Sequence, residues 1–118
     1  MLQVKSEAEF NERIAEKRPT VAVFKADWCP DCKFIEPFMP EVVENYREQF
    51  AFIQADRDEL PEVFEKHQVL GIPSFIVFSE GRELTRFVSK LRKTREEIER
   101  FLDRSAQVAQ ALASGMQE

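Results

Sequence analysis

Thr20-Val21-Ala22-Val23-Phe24-Lys25-Ala26-Asp27-Trp28-Cys29-Pro30-Asp31-Cys32-Lys33-Phe34-Ile35-Glu36-Pro37-Phe38-Met39 is the stretch whose reading decides the fold. Residues 20–26 are apolar and β-branched at their start, which predicts a central strand. After the cysteines, Ile35, Phe38, Met39, Val42 and Tyr46 recur at helical spacing, which predicts an amphipathic helix. Pro37 and Pro40 fall inside that helix and predict a kink or a break. Cys29 and Cys32, the only two cysteines in the chain, sit at the strand-to-helix junction. There the first thiol meets the helix N-terminus, where the macrodipole and unpaired N–H groups stabilise a thiolate. The second lies about one turn further on, within reach to attack a mixed disulfide and close the ring.

Upstream, Leu2-Gln3-Val4 predicts a short edge strand. Ser6 and Glu9 have capping-box spacing and open a helix over about residues 7–17, with Phe10 and Ile14 inward and Pro19 closing it. Downstream, residues 50–55 read as a strand. A short helix follows, with Leu60, Val63 and Phe64 on its inner face. Ser74 to Phe78 and Glu83 to Val88 form a hairpin around Ser79-Glu80-Gly81. Thr94 and Glu97 make a second capping box, and Ile98, Phe101, Leu102, Val108, Ala109 and Leu112 mark a long closing helix. The resulting order, βαβαβαββα, predicts an α/β class: a mixed central sheet of four to five strands with helices on both faces.

A chain of 118 residues is long enough to bury one core. The 43% hydrophobic fraction and eleven phenylalanines argue for a packed core over disorder. Two cysteines make no disulfide scaffold. The net charge of −5 argues against nucleic acid or an anionic membrane as partner. The first seven residues hold no apolar core of signal-peptide length, and no stretch approaches the roughly 18 apolar residues of a spanning helix. The expectation is a soluble, cytoplasmic, monomeric protein whose dithiol rests reduced.

Cys-x-x-Cys is also a zinc spacing, but about four ligands are needed, and only His67 and carboxylates remain. His67, at the end of the short acidic helix, reads as a solvated surface residue. A second class of function stays open: a binding module whose dithiol holds a metal or an iron–sulfur cluster, or tethers one dedicated partner. Trp28, a large ring beside the thiols at a strand end, is expected to shield them and contact partners.

Trp28-Cys29-x-x-Cys32-Lys33, Pro37 five residues on, and Gly71-Ile72-Pro73-Ser74-Phe75 resemble the thioredoxin family over roughly residues 1–103. The resemblance implies a single thioredoxin-like domain over residues 1–118, with 105–118 extending the last helix. It implies a thiol–disulfide oxidoreductase that reduces protein or small-molecule disulfides without a cofactor. Cys29 and Cys32 would be catalytic, and Trp28, Ile72 and Pro73, the last in a cis bond, would bind substrate. A thioredoxin-reductase-like donor would restore the electrons, since the chain carries no nucleotide motif.

Departures from the family pattern matter as much. The family often places a buried carboxylate six positions before the first cysteine, with a buried lysine paired to it; here Val23 stands at the first place and Phe52 or an apolar neighbour at the second. Asp27 and Asp31 are left as the nearest carboxylates to serve Cys32. Pro30-Asp31 replaces the usual Gly-Pro and is expected to modulate the pair, the Asp31 carboxylate opposing thiolate formation. Residues 86–95 hold five cations and no anion. Two readings stay open for that run: a solvated loop, or a docking surface for acidic disulfide-bearing partners.

Overall fold

The computed structural model of the chain describes residues 1–115. The element order is β1 (Leu2–Gln3), α1 (Glu7–Ile14), β2 (Thr20–Lys25), α2 (Pro30–Ile35), α3 (Met39–Asn45), β3 (Ala51–Asp56), α4 (Pro61–Lys66), β4 (Ser74–Ser79), β5 (Arg82–Phe87) and α5 (Arg95–Gly115). The strands form one five-stranded sheet in the order β1-β3-β2-β4-β5. β1 and β2 run parallel to β3, whereas β4 runs antiparallel to β2 and to β5, giving the expected mixed sheet.

β2 lies at the centre and is buried along almost its whole length, as its continuous apolar run requires. Its side chains alternate between two cores. Ala22 and Phe24 point to the face covered by Phe10 and Ile14 of α1 and Val63 and Phe64 of α4. Val21 and Val23 point to the other, covered by Ile35, Met39 and Val42 and by Ile98, Phe101 and Leu102 of α5. Phe10, Phe24, Phe50, Phe75 and Phe78 are completely buried, each stabilising the fold by about 2–3 kcal/mol.

Local signals set the boundaries. The helix after the cysteines breaks at its prolines: α2 stops at Ile35, and α3 restarts with Pro40 in its first turn. The Glu97 N–H donates to the Thr94 hydroxyl at 3.2 Å and the Glu97 carboxylate accepts from the Thr94 N–H at 2.9 Å, so both arms of that box form. At α1 only one arm forms as expected. The Glu9 N–H donates to Ser6, but the Glu9 carboxylate accepts from the Lys5 N–H. Glu80 and Gly81 both have positive φ, the conformation a two-residue hairpin turn demands.

Two expectations need correction, the end of α1 and the setting of His67, while the long closing helix forms as expected. α1 ends at Ile14 rather than near residue 17, because the chain turns there to reach β2. On α5, Val108 and Ala109 are half-buried and Leu112 is exposed, since the apolar stripe outruns the sheet it packs on. His67 is not a solvated residue. Its ring is wedged between Phe10 and Phe78, with centroids 5.4 and 5.3 Å away, and its Nε2 is buried without a hydrogen-bond partner. Of the expected extension 105–118, residues 116–118 lie outside the described residues.

Candidate active site

The site forms where the C-terminal end of β2 meets the start of α2. Cys29 is the N-cap of α2, and Pro30 occupies the first helical position, where a missing N–H costs nothing. The Cys29 sulfur accepts the backbone N–H of Cys32 at 3.1 Å. This is the job a serine or aspartate oxygen does at other helix starts. Both cysteines are free thiols, and both are buried.

Across from them lies the loop between α4 and β4. Its Ile72–Pro73 bond is cis, as the family resemblance implies. The Cys29 thiol lies 3.8 Å from the Ile72 carbonyl oxygen. Ile72 is itself buried, so the dithiol faces backbone as much as side chain. Trp28 stays 57% exposed beside the thiols, held by its indole N–H donating to Asp58 at 3.0 Å. Pro30 and Asp31 lie between the two cysteines in the first turn of α2.

The two thiols are not equivalent. Burial pushes the Cys32 thiol up to about 12, and its hydrogen bond to Cys29 adds to the rise. A backbone bond from Ala26 and the charge of Lys25 pull the other way without prevailing. No carboxylate stands at the family's position for taking this proton, and the two nearest ones are engaged elsewhere. Val23 and Phe52 are buried together in the apolar core on the α2–α5 side of the sheet. Asp27 points into solvent and is tied to Lys25 at 2.7 Å, a bond that lowers its pKa. Asp31 is occupied as well, by Arg92 at 3.0 Å.

That last pair revises both readings of the basic run 86–95. Arg86 pairs with Glu83 and donates to the His67 carbonyl. Arg92 holds Asp31 and lies over the Phe34 ring, 4.5 Å from its centroid. Arg95 bonds Glu41 and Glu99. Lys93 is 1% exposed, its ammonium donating to the Ser89 and Leu91 carbonyls at 3.1 and 2.9 Å and facing the Phe87 ring. Burial lowers the Lys93 pKa, with Asp31, Cys32, Glu97 and Cys29 opposing. Of the five cations, only the Lys90 side chain has neither an ion-pair nor a hydrogen-bond partner among the described residues. The run is therefore mostly internal bracing, neither a free solvated loop nor an open patch of five charges.

The sequence placed Gly71 and the run 86–95 at the site through the family resemblance, but not the contact between Gly71 and Ser89, the pairing of Arg92 with Asp31 or the burial of Lys93. A Cβ at Gly71 would collide with the backbone of Ser89 and Lys90, so the turn after β5 packs directly on the loop that carries Pro73. Among the described residues, no three His, Cys, Asp or Glu side chains cluster as metal ligands would.

Known proteins resemble this one over the same region. The thioredoxin family model matches residues 1–104. Thioredoxin-2, mitochondrial, of Schizosaccharomyces pombe is 34% identical over 77% of this chain and 68% of its own length. Thioredoxin-1 of Saccharomyces cerevisiae is 36% identical over 73% of this chain and 82% of its own. A bifunctional thioredoxin reductase/thioredoxin of Mycobacterium leprae is 30% identical over 74% of this chain and 19% of its own length. A solved structure of Plasmodium falciparum thioredoxin superposes with a TM-score of 0.79 at 29% identity, covering 88% of this chain and 98% of that one. The buried dithiol at the start of α2, its cis-proline neighbour and these likenesses agree: the chain belongs to the thioredoxin family, and it is a thiol–disulfide oxidoreductase.

Proposed function

We propose that this protein acts as a cytoplasmic, monomeric disulfide reductase in which Cys29 attacks and Cys32 resolves. Trp28, Ile72 and Pro73 hold the substrate segment, and Pro30 and Asp31 modulate the thiols. The observation that carries this reading is the 3.8 Å approach of the Cys29 thiol to the Ile72 carbonyl. A substrate strand lying along that backbone brings its own sulfur to Cys29.

In the first step the Cys29 thiolate attacks one sulfur of the substrate disulfide. A bond forms between Cys29 and that sulfur, the substrate S–S bond breaks, and one substrate thiolate leaves and takes a proton from water. In the second, Cys32 gives its proton to solvent and attacks the Cys29 sulfur. The Cys29–Cys32 bond forms, the mixed disulfide breaks, and the second substrate thiolate leaves. The substrate has then gained two electrons and the protein pair has lost two.

Thioredoxins act on disulfide-bearing proteins and are recharged by thioredoxin reductase. The relative that carries both activities in its name supports a donor of that kind here. A chain with only these two cysteines suits a reducing compartment, which supports the cytoplasm.

The test is trapping. Cys32→Ser should accumulate covalent adducts with disulfide proteins on Cys29 that dithiothreitol releases, and Cys29→Ser should give none. Adducts on Cys29→Ser, or none on Cys32→Ser, would reverse the assignment.

A further inference from the structure

The turn between β5 and α5 is fixed at three points, and one of them is open to exchange. On its inner side the Ser89–Lys90 backbone rests on Gly71, and the buried Lys93 ammonium bonds the Ser89 and Leu91 carbonyls. On its outer side Arg92 reaches over to α2. Its Nε donates to Asp31 at 3.0 Å, and its guanidinium lies 4.5 Å from the centre of the Phe34 ring. The Arg92 and Asp31 side chains are 56% and 31% exposed, so water competes for both. The terminal nitrogens of Arg92 have no hydrogen-bond partner among the described residues.

Asp31 sits between the two cysteines in the first turn of α2, so the guanidinium bonded to it stands beside the dithiol. An arginine fork can bind a second carboxylate or exchange one for another. An ion pair as exposed as this one shifts its own equilibrium by only about two- to five-fold, weak enough for an incoming carboxylate to replace Asp31. The Phe34 ring keeps the guanidinium in place when Asp31 lets go. Leu91, 75% exposed beside it, and Lys90, with no acidic partner, complete an apolar and cationic edge. The attraction is local, since the chain as a whole carries −5.

We propose that Arg92 is a specificity-determining residue that takes a carboxylate flanking the substrate disulfide, in competition with Asp31. The inference rests on the disulfide-reductase reading above and names its substrate class: disulfides flanked by Asp or Glu. Asp31 is then the resting occupant of the subsite.

Two synthetic peptides test this, each closed by one disulfide and differing only in Glu or Gln on either side of one cysteine. The second-order rate constant of the pre-reduced, full-length protein is measured on each, and the Glu/Gln ratio is the readout. The ratio cancels whatever a substitution does to the thiols, because both peptides meet the same dithiol. Wild type should favour the Glu peptide by about two- to five-fold at low salt, the preference fading as salt rises from about 20 to about 300 mM. Arg92→Gln should bring the ratio close to one. Asp31→Asn should raise it, because the arginine no longer has a resident partner. The double variant should behave like Arg92→Gln alone. No preference in wild type, an unchanged ratio in Arg92→Gln, or a lowered ratio in Asp31→Asn would each overturn the proposal while leaving the reductase reading standing. Reduction of neither peptide by wild type would overturn both.

Discussion

The Ser89 carbonyl fills the space that a Cβ on Gly71 would need. The two residues are far apart in sequence, yet their backbones touch, and this contact sets the distance between the loop carrying Pro73 and the turn carrying Arg92. The obstacle is main chain, which cannot swing aside as the tip of a side chain can. Gly71→Ala should therefore cost about 1–3 kcal/mol of stability, the usual range for overpacking. It should also slow disulfide reduction beyond what the lost folded fraction explains, because both borders of the site move. Urea unfolding and turnover on the same variant check this; wild-type values for both would show that the contact has slack.

The proton held by Cys32 makes the reduced protein sensitive to alkali. In the fold this thiol titrates at about 12, because burial and the Cys29 bond disfavour its charge, against 9.0 for an ordinary thiol. Above about pH 9 the unfolded chain has released this proton and the folded chain has not. The unfolded state then binds fewer protons, and stability falls as pH rises from about 9 towards about 12. The urea midpoint of the reduced protein should drop between about pH 7.5 and about pH 10, and Cys32→Ser should lose less. The same asymmetry predicts that iodoacetamide at neutral pH labels Cys29 and spares Cys32. Equal labelling, read by peptide mass, would contradict the division between an N-cap Cys29 and a proton-holding Cys32.

His67 provides the acid-side counterpart. Burial between two phenylalanines lowers its pKa, Lys66 and Arg86 push the same way, and Glu83 and Glu7 oppose them. An unfolded chain takes up this proton near 6.5, the folded chain only at lower pH. Stability contributed by the neutral ring is therefore present above about 6.5 and is lost as pH falls below it. His67→Phe removes the titration and the unpartnered Nε2 together. It should stabilise the protein by about 1 kcal/mol at neutral pH, the low end for an unsatisfied polar atom because the residue is half-buried. It should also flatten the loss of stability between about pH 6.5 and about pH 5. An unchanged acid slope in thermal unfolding would place the sensitivity elsewhere.

Much of the site was legible because its signals are local. The strand run 20–26, the thiols three residues apart, the break at Pro37 and Pro40 and the box at Thr94 each follow from neighbours within about one helical turn or two strand residues. Those patterns determined the element order, the mixed sheet, the two helix-covered faces and the position of Cys29 as an N-cap. The tertiary structure alone decided which charges meet. Asp31 and Arg92 are separated by 61 residues and come together because the β2-β4-β5 edge of the sheet carries the last turn back over α2. Sequence composition showed five cations in a row of ten. Only the fold showed that one is buried under Phe87, that three hold carboxylates, and that Lys90 is left over. Likewise His67 looked solvated because its sequence neighbours are polar, while the rings that enclose it arrive from α1 and β4. Periodicity reports which way a residue points relative to its own element. What it meets there depends on the order in which distant strands pair, and that order is a property of the assembled sheet.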